Sequence, residues 1–531
     1  MNSFRVVVKY TVALLLVIIL SYIFIPKPDL KTFKTYSSAI YDSNDNLLRI
    51  TLSKDEKFRI YESIDNISQE FLKTTILYED KNFYNNRGVD FIALVRAFWK
   101  TYILQERRIG ASTIAMQVAR LRWQISSNNV PGKIVQIFRA IQISRHYTKN
   151  QILEFYVNFA SYGANIEGIG AASLIYFNKK PSELNFVEIL TLSVIPQNPN
   201  KRNPMTKKGY MNLLKVRNNL FEKWVKINPS YIKYKKYLDM PIKVRKLNEL
   251  PFHAPHFTNY IENQYAYWDH GKIKTTLDLQ LQNQIENIVS NYINSKTNDG
   301  IKNASVLLVD HNTMEIKSMV GSADFFNNKI QGQVNGTTAK RSPGSTLKPF
   351  VYALAMDEGI IHPSTLMKDA PRLFGGFTPE NYDKKFLGPI LAKDALVMSR
   401  NVPAVNLQSK LTKKSFYNFL REAGVSKLKN EDFYGLTLSL GGVEMTMLEL
   451  AELYGLLANS GKLKKISSIN TLPTTKEEKI SLISPESAFL TLDILKDNPA
   501  PNNLNFDVRY LKKNEVAWKT GTSWAFRDAW S

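Results

Sequence analysis

Residues 341–350 have the sequence RSPGSTLKPF, and this short stretch decides the character of the C-terminal half of the chain. Ser345 and Lys348 lie three residues apart just after Pro343 and Gly344, so a helix beginning there would bring the hydroxyl and the amine onto one face. A lysine amine can activate a serine when burial and a second cation keep that amine neutral. Taken alone, however, the spacing is equally typical of a helix cap followed by a surface lysine.

Two further elements follow downstream, SRNVPAV at residues 399–405 and KTGTS at residues 519–523. With the first element they form, in order, a Ser-x-x-Lys, Ser-x-Asn and Lys-Thr-Gly series, which is a known signature of acyl-transfer enzymes. Arg400 stands at the variable position of the second element. Through these three stretches the chain resembles the transpeptidase domain of penicillin-binding proteins.

The resemblance implies a role for each matching residue. Ser345 would attack the penultimate D-alanine carbonyl of a stem peptide, and Lys348 would take its proton. Ser399 would relay a proton to the leaving D-alanine. Asn401 would orient Lys348 and hold the substrate amide. These four residues are the predicted catalytic centre, together with Lys519.

The third element is expected to bind substrate. By the resemblance, Lys519 and Thr520 would hold the terminal carboxylate through charge-assisted hydrogen bonds. Gly521 would let the peptide lie along a strand edge. The backbone N–H groups of Ser345 and Thr522 would form an oxyanion hole. β-Lactams would then acylate Ser345.

A second candidate centre lies near the N-terminus, where Glu79 and Asp80 precede Phe83. Paired carboxylates suit general base catalysis, although a lone Glu-Asp pair is more often a solvated helix end. The segment GASTIAMQ at residues 110–117 follows, and it joins a glycine-containing turn to a helix start of the kind that binds anions.

Together with residues 152–173, ILEFYVNFASYGANIEGIGAAS, these segments resemble the glycosyltransferase domain of bifunctional, class A penicillin-binding proteins. Glu79 would then deprotonate the sugar 4-hydroxyl of lipid II, giving inversion and a β-1,4 glycan. The resemblance implies a substrate-binding set, several members of which would position the donor pyrophosphate: Asp80, Phe83, Ser112, Thr113, Gln117, Arg120, Lys133 and Gln136.

Two positions depart from the common pattern of that domain. Asn86 stands where many members have histidine, and Gln136 stands where many have a second glutamate. Gln136 cannot act as an acid. The departure resembles the 1C branch of the family, and it makes glycosyl transfer a weaker expectation than acylation.

Composition limits the other classes of function. The chain has 531 residues, no cysteine and a net charge of +23, so an anionic partner is expected and disulfides and thiolate chemistry are excluded. The six histidines form no metal-binding spacing. No cofactor is therefore required by the sequence, although the resemblance leaves open Mg²⁺ in glycosyl transfer.

The stretch Val6–Ile25 holds one charge and is long enough to span a bilayer. Arg5 and Lys9 at its start predict a cytoplasmic N-terminus, a single-pass anchor in the inner membrane and periplasmic catalytic domains. A cleaved signal peptide is the alternative. Nucleic acid is then not an expected partner.

The predicted organisation is a 1–26 anchor, a 27–62 β connector, a mainly-α lysozyme-like glycosyltransferase domain at 63–215, a 216–299 linker that includes a solvated helical stretch, and an α/β (α+β) transpeptidase, β-lactamase-like domain at 300–531. Because the sequence ends ten residues after Gly521, the last domain is expected to be incomplete. The helix pattern at residues 91–104 predicts either a core helix or an amphipathic helix dipping into membrane lipid.

The implied partners are lipid II and the growing glycan, stem peptides, β-lactams, membrane lipid and other wall-synthesis proteins. Two alternatives to a bifunctional synthase stay open at this point. One is a glycosyltransferase joined to a defective transpeptidase, and the other is a non-catalytic membrane scaffold or β-lactam sensor.

Overall fold

The structure is a computed structural model that describes residues 24–30, 34–99, 112–126, 129–265, 271–470, 480–499, 516–523 and 526–531. It divides into two compact units. The first comprises residues 1–41, 47–252 and 265–273, and the second comprises residues 42–46, 253–264 and 274–531.

The first unit is mainly helical. Its helices α1 to α8 span Gln69–Glu79, Phe91–Phe98, Ile114–Trp123, Val130–His146, Lys149–Phe159, Ile169–Phe177, Phe186–Val194 and Lys207–Ile227. Their starts follow the sequence, since Asp90, Thr113, Asn129 and Thr148 each cap the helix that comes next with a side-chain oxygen. Helices α4 and α5 follow one another with a break of two residues, Tyr147 and Thr148.

Short strands complete the first unit. They are β1 (Ala39–Tyr41), β2 (Leu47–Ile50), β3 (Phe58–Arg59), β4 (Ser161–Gly163), β5 (Ile166–Glu167) and β6 (Lys272–Lys274). Strands β1 and β2 pair antiparallel around a polar turn, as the sequence predicts. The sheet orders are β2-β1-β6 and β3-β5-β4.

The predicted 216–299 linker differs from the observed division. Helix α8 runs through its first residues without a break, and Leu220, Phe221 and Trp224 lie in the core of the first unit. Burial of these side chains makes the helix part of the folded unit and not a solvated connection. A 3₁₀ helix at Pro229–Tyr237 follows it and packs beside α7 and α8.

The second unit mixes helices and short strands. Its helices α9 to α17 span Pro255–Gln264, Leu279–Lys296, Lys348–Asp357, Ala392–Val397, Asn401–Gln408, Phe416–Glu422, Glu431–Tyr434, Met447–Ala458 and Pro485–Lys496. Strands β7 to β14 span Val306–Val309, Ile316–Val320, Leu366–Asp369, Gly388–Leu391, Lys462–Leu463, Ile480–Ser481, Gly521–Thr522 and Ala529–Trp530. Strands β7 and β8 pair antiparallel as a hairpin.

Helix α11 is the centre of the second core. From Lys348 to Met356 every residue is buried, and the helix contacts α13 and α17. A 3₁₀ turn at Gly344–Leu347 leads directly into it, so the predicted helix at Ser345 begins as 3₁₀ and continues as α. A lysine at the start of a fully buried helix is unusual and identifies the site described below.

No helix in the described ranges has the length and apolar character needed to cross a bilayer. The predicted span Val6–Ile25 lies outside the described residues, apart from its last two positions.

Candidate active sites

In the second unit, the three sequence elements come together around the amine of Lys348. This nitrogen donates hydrogen bonds to Asn401 Oδ1 at 2.6 Å, to Ser399 Oγ at 3.3 Å and to the Ser399 carbonyl. Lys519 Nζ donates to the same Ser399 Oγ at 2.9 Å. The Ser399 hydroxyl therefore lies between the two lysine amines.

The pKa values of both lysine amines are lowered. Complete burial lowers the pKa of Lys348 well below its usual range, and the charges of Lys519 and Arg400 lower it further. Burial also lowers the pKa of Lys519, to about 8. A neutral amine at Lys348 is the form that can accept a proton.

The turn that carries Ser345 packs closely against the third sequence element. Gly344 has a φ of +57°, and a Cβ there would lie 2.3 Å from Thr522 O. Gly521 is as tightly placed, since a Cβ on it would lie 2.3 Å from Pro343 O. The Ser345 turn and strand β13 therefore touch backbone to backbone, which only glycine permits.

The Ser345 side chain is half-buried, and the hydrogen bonds described for Lys348 and Lys519 do not include its hydroxyl. Ser345 and Thr522 lie on the two segments in contact, and the oxyanion hole formed by their N–H groups stays a prediction. Thr520 precedes Gly521 and leads into the same strand, and its carbonyl accepts a hydrogen bond from Lys519.

Arg400 turns away from the amines. Its guanidinium donates to the buried carboxylate of Asp369 at 2.8 Å and to Asp383 at 2.9 Å, and it also binds the Lys385 carbonyl. Asn381 joins Asp369 to the backbone N–H of Asn401, at 2.8 Å in each step. This network fixes the turn in which Ser399 adopts a strained φ of +55°.

Sequence reasoning missed Asp369 and Asn381. They lie about 20 to 30 residues before the second element, and nothing in the spacing links them to it.

In the first unit, Glu79 ends helix α1, and its side chain is half-buried. Its Oε2 accepts a hydrogen bond of 2.7 Å from Gln117, and the Tyr156 hydroxyl faces the carboxylate. Its Oε1 is buried and forms no hydrogen bond of normal geometry with the described residues. Burial raises the pKa of Glu79, against the lowering effect of Gln117. A buried carboxylate with one unused oxygen is suited to accept a proton from a bound hydroxyl.

Cations lie near this carboxylate. The charges of Arg202 and Arg120 both act to lower the pKa of Glu79. Arg120 is exposed, and its charge also helps burial to lower the pKa of Lys133. Lys133 Nζ donates to Ser112 Oγ at 2.7 Å and to Gln136 Oε1 at 3.1 Å. This places two cations where an anionic group would be attracted.

Some predicted substrate contacts face the protein instead. Asp80 accepts hydrogen bonds from the Ile114 N–H and the Asn86 side chain, so the start of α3 already binds a carboxylate of the chain itself. Thr113 caps the same helix. Phe83 is buried. Direct contact of Asp80, Thr113 and Phe83 with a substrate stays a prediction.

Gln136 is also buried, and its amide donates to the Met116 carbonyl at 2.7 Å. This hydrogen bond uses the N–H that distinguishes the residue from glutamate. Sequence reasoning gave no role to Tyr156, whose hydroxyl faces Glu79, or to Arg202. Tyr156 lies on the buried face of α5, a position indicated only by helical spacing.

The described residues contain no group of three His, Asp or Glu side chains that could hold a metal ion. Next to Glu79, the oxygens of Asp80 are taken up by protein donors. The residues around Glu79 therefore do not fit a cage of carboxylates for Mg²⁺, and a metal requirement in glycosyl transfer stays a prediction.

Comparisons with known proteins match a different domain to each of the two stretches that hold these sites. Residues 44–224 match the Transglycosylase family, and residues 304–528 match the penicillin binding protein transpeptidase domain. The chain is 34% identical over 471 residues to penicillin-binding protein 1C of Escherichia coli (strain K12), which covers 88% of this chain and 59% of that protein. It is 28% identical to penicillin-binding protein 1F of Bacillus subtilis (strain 168), covering 88% of this chain and 68% of that protein.

Among solved structures, penicillin-binding protein 1A from Haemophilus influenzae matches with a TM-score of 0.50 and 16% sequence identity, over 94% of this chain and 86% of that chain. This likeness shows the fold. The chain therefore matches a transglycosylase domain followed by a penicillin-binding transpeptidase domain, and over both it is similar to penicillin-binding proteins 1C and 1F.

Proposed function

We propose that the chain is a bifunctional peptidoglycan synthase, which polymerises lipid II into β-1,4 glycan strands and cross-links their stem peptides. The observation that carries the proposal is the buried amine of Lys348, held between Ser399 and Asn401 and facing the second amine of Lys519. An uncompensated buried lysine destabilises a fold, so its presence is best explained by chemistry.

In the proposed cross-linking reaction, Lys348 as a neutral amine takes the Ser345 proton while Ser345 Oγ bonds to the penultimate D-alanine carbonyl. The N–H groups of Ser345 and Thr522 stabilise the oxyanion. Ser399 passes a proton to the leaving D-alanine, and the charged Lys519 attracts the terminal carboxylate. An acceptor amine then displaces the serine, which completes the cross-link.

In the proposed polymerisation, the free Oε1 of Glu79 takes the proton of the acceptor 4-hydroxyl as that oxygen attacks the donor sugar. The pyrophosphate leaves with its negative charge stabilised by Arg120 and Lys133. The raised pKa of Glu79 brings this base closer to neutral pH, where general base catalysis is most effective.

We further propose a membrane location, with an N-terminal anchor, a cytoplasmic N-terminus and periplasmic catalytic domains. Helix α2 supports contact with lipid, because Phe91, Ile92 and Val95 expose 62 to 73% of their surface. A core helix would bury these side chains. Contact with other wall-synthesis proteins stays a prediction.

The cross-linking half is tested with fluorescent penicillin. Wild type and a Ser364→Ala control, which changes an exposed serine of the same unit, should be labelled, and Ser345→Ala should not. An unlabelled but folded wild type would favour a defective transpeptidase.

Polymerisation is tested with lipid II. Glu79→Gln should lose glycan synthesis, while Glu70→Gln, an exposed change in the same helix, should retain it. Absence of both activities in the folded wild type would favour the non-catalytic scaffold or sensor.

A further inference from the structure

Residues 201–250 of the first unit are strongly basic. They contain fourteen Lys and Arg against three Asp and Glu, and so carry a net +11 of the +23 of the whole chain. The eleven lysines among them are all exposed, and none forms an ion pair with a described carboxylate. A solvated face is the ordinary explanation for such a run, so the charges alone indicate no ligand.

A row of three tyrosines adds aromatic side chains to this basic surface. The 3₁₀ helix Pro229–Tyr237 has three residues per turn, which aligns Tyr231, Tyr234 and Tyr237 on one side. Successive ring centroids lie 5.6 and 6.3 Å apart. The first ring packs on the buried Phe186 at 4.7 Å, whereas the last is 40% exposed. The row therefore leads from the core to the surface.

A cavity of about 450 Å³ lies beside the outer end of this row. Its walls are mainly aromatic and aliphatic side chains: Phe186, Val187, Tyr234, Tyr237, Met240 and Ile242. The volume lies within the range of roughly 300 to 1,000 Å³ that is usual for ligand sites. Lys243 supplies a positive charge at the lining.

Glu188, the acidic residue in the cavity lining, forms an ion pair with a lysine. Both carboxylate oxygens of Glu188 accept hydrogen bonds of 2.8 Å from Lys179, and one of them also accepts the Asn185 N–H. Glu188 therefore opposes an incoming anion only weakly.

Two lysines lie directly over the tyrosine rings. Lys233 Nζ is 5.4 Å from the centroid of Tyr234, and Lys236 Nζ is 5.0 Å from that of Tyr237. A ligand at this place would meet flat aromatic faces with cations above them. Pyranose rings present C–H groups that pack on such faces, and acidic substituents on the same ligand would pair with the lysines. A flat lipid surface could use the charges but could not fill the cavity.

We propose that this cavity and its lysines bind an acidic glycan, namely the peptide-bearing sugar polymer that the proposed synthase makes. The identity of the ligand rests on the proposed function. The site itself is separate from the Glu79 centre, because its lining shares no residue with the groups that contact Glu79. Binding there would retain the product strand on the enzyme between additions.

The test measures binding of the full chain to soluble, uncross-linked glycan strands that carry their acidic peptides. The triple variant Lys233→Gln, Lys236→Gln, Lys243→Gln should bind about tenfold more weakly, since exposed pairs contribute modestly and add over three positions. A matched triple variant of exposed lysines in the second unit, Lys393→Gln, Lys410→Gln and Lys413→Gln, should bind as wild type does.

Tyr237→Ala should also weaken binding about tenfold, and Tyr237→Phe by less than twofold, because the ring face and not the hydroxyl makes the contact. Strands whose peptide carboxylates have been amidated should bind more weakly to wild type, with a smaller dependence on salt. All of these changes are at exposed positions, so the variants should unfold at the wild-type temperature.

Equal binding by wild type and the Lys233, Lys236 and Lys243 triple variant would overturn the proposal. So would lysine-dependent binding to phosphatidylglycerol vesicles with no binding to the strands, which would assign the surface to lipid. The proposed function is tested separately from this site. If the chain binds strands but polymerises no lipid II, the synthase proposal is wrong and the glycan site is retained. A chain that polymerises lipid II without binding strands loses the site alone.

Discussion

Replacing Arg400 with methionine removes the positive member of a buried ion pair and leaves the negative one in place. The Arg400 and Asp369 side chains are 6% and 0% exposed, and their contact is 2.8 Å. Methionine fills similar space but cannot donate to Asp369, to Asp383 or to the Lys385 carbonyl. Asp369 would retain Asn381 and one backbone N–H as partners, with no cation.

The expected loss of stability follows from that uncompensated charge. Breaking a buried ion pair by removing one partner costs about 3 to 5 kcal/mol. For a unit of this size, that loss lowers the unfolding temperature by roughly 6 to 20 °C. The double variant Arg400→Met, Asp369→Leu should recover most of it, because no charge is then left buried without a partner.

The same substitution should alter acylation. The Arg400 charge is one of the causes that hold the pKa of Lys348 down, after burial and Lys519. Without it the pKa rises, so less of the amine is neutral at a given pH. The acid limb of the acylation profile should then move to higher pH.

Thermal unfolding of the full chain and penicillin acylation measured across pH give the two readouts. Arg421→Met, an exposed arginine of the same unit, is the matched control and should change neither. An Arg400→Met chain that unfolds within 1 °C or so of wild type and keeps its pH profile would refute the assigned role of the pair.

Three other substitutions have definite expected outcomes. Gln136→Glu loses a buried donor and puts an anion beside Lys133, so the KM for lipid II should rise by about tenfold, as steady-state polymerisation would measure. Burial lowers the pKa of Lys519 to about 8, so the rate of acylation by penicillin should decline as the pH rises through 8 and this amine loses its charge. Lys519→Arg should move that decline to higher pH, as stopped-flow rates would measure. Gly344→Ala would place a side chain at a φ of +57°, with its Cβ 2.3 Å from Thr522 O, so the Ser345 turn would have to move away from strand β13. The rate of acylation should fall by at least about tenfold, while lipid II polymerisation is retained.

Ser345, Lys348 and Lys519 could be singled out from the sequence because each is carried by a short local element, and the catalytic role of Ser345 stays a prediction. The order of the elements restricts the fold, so Lys348, Ser399 and Lys519 meet although 171 residues separate the first from the last. The residues that hold the Ser399 turn in place could not be predicted in this way. Asp369 reaches Arg400 through the tertiary fold alone, and an isolated aspartate in a short strand gives no local signal.

The first unit shows the same limit on a larger scale. The lysines of residues 210–250 favour a solvated connection, yet Leu213, Leu220 and Trp224 follow one face of α8 and are buried. Their spacing of seven and four residues was the available signal. The resemblance implies substrate contact for Asp80, and that contact stays a prediction, but its carboxylate also accepts the N–H of Ile114 in the fold. Sequence proximity does not indicate which way a side chain turns.

The left-handed backbone conformation of Ser399 lowers the stability of the fold, but the same residue is needed for the proposed activity. A non-glycine residue with a φ of +55° costs about 1 kcal/mol, and glycine would relieve it. Glycine would also remove the hydroxyl that accepts hydrogen bonds from both lysine amines. A search for more heat-resistant forms of this protein would therefore favour a substitution that abolishes the proposed proton relay.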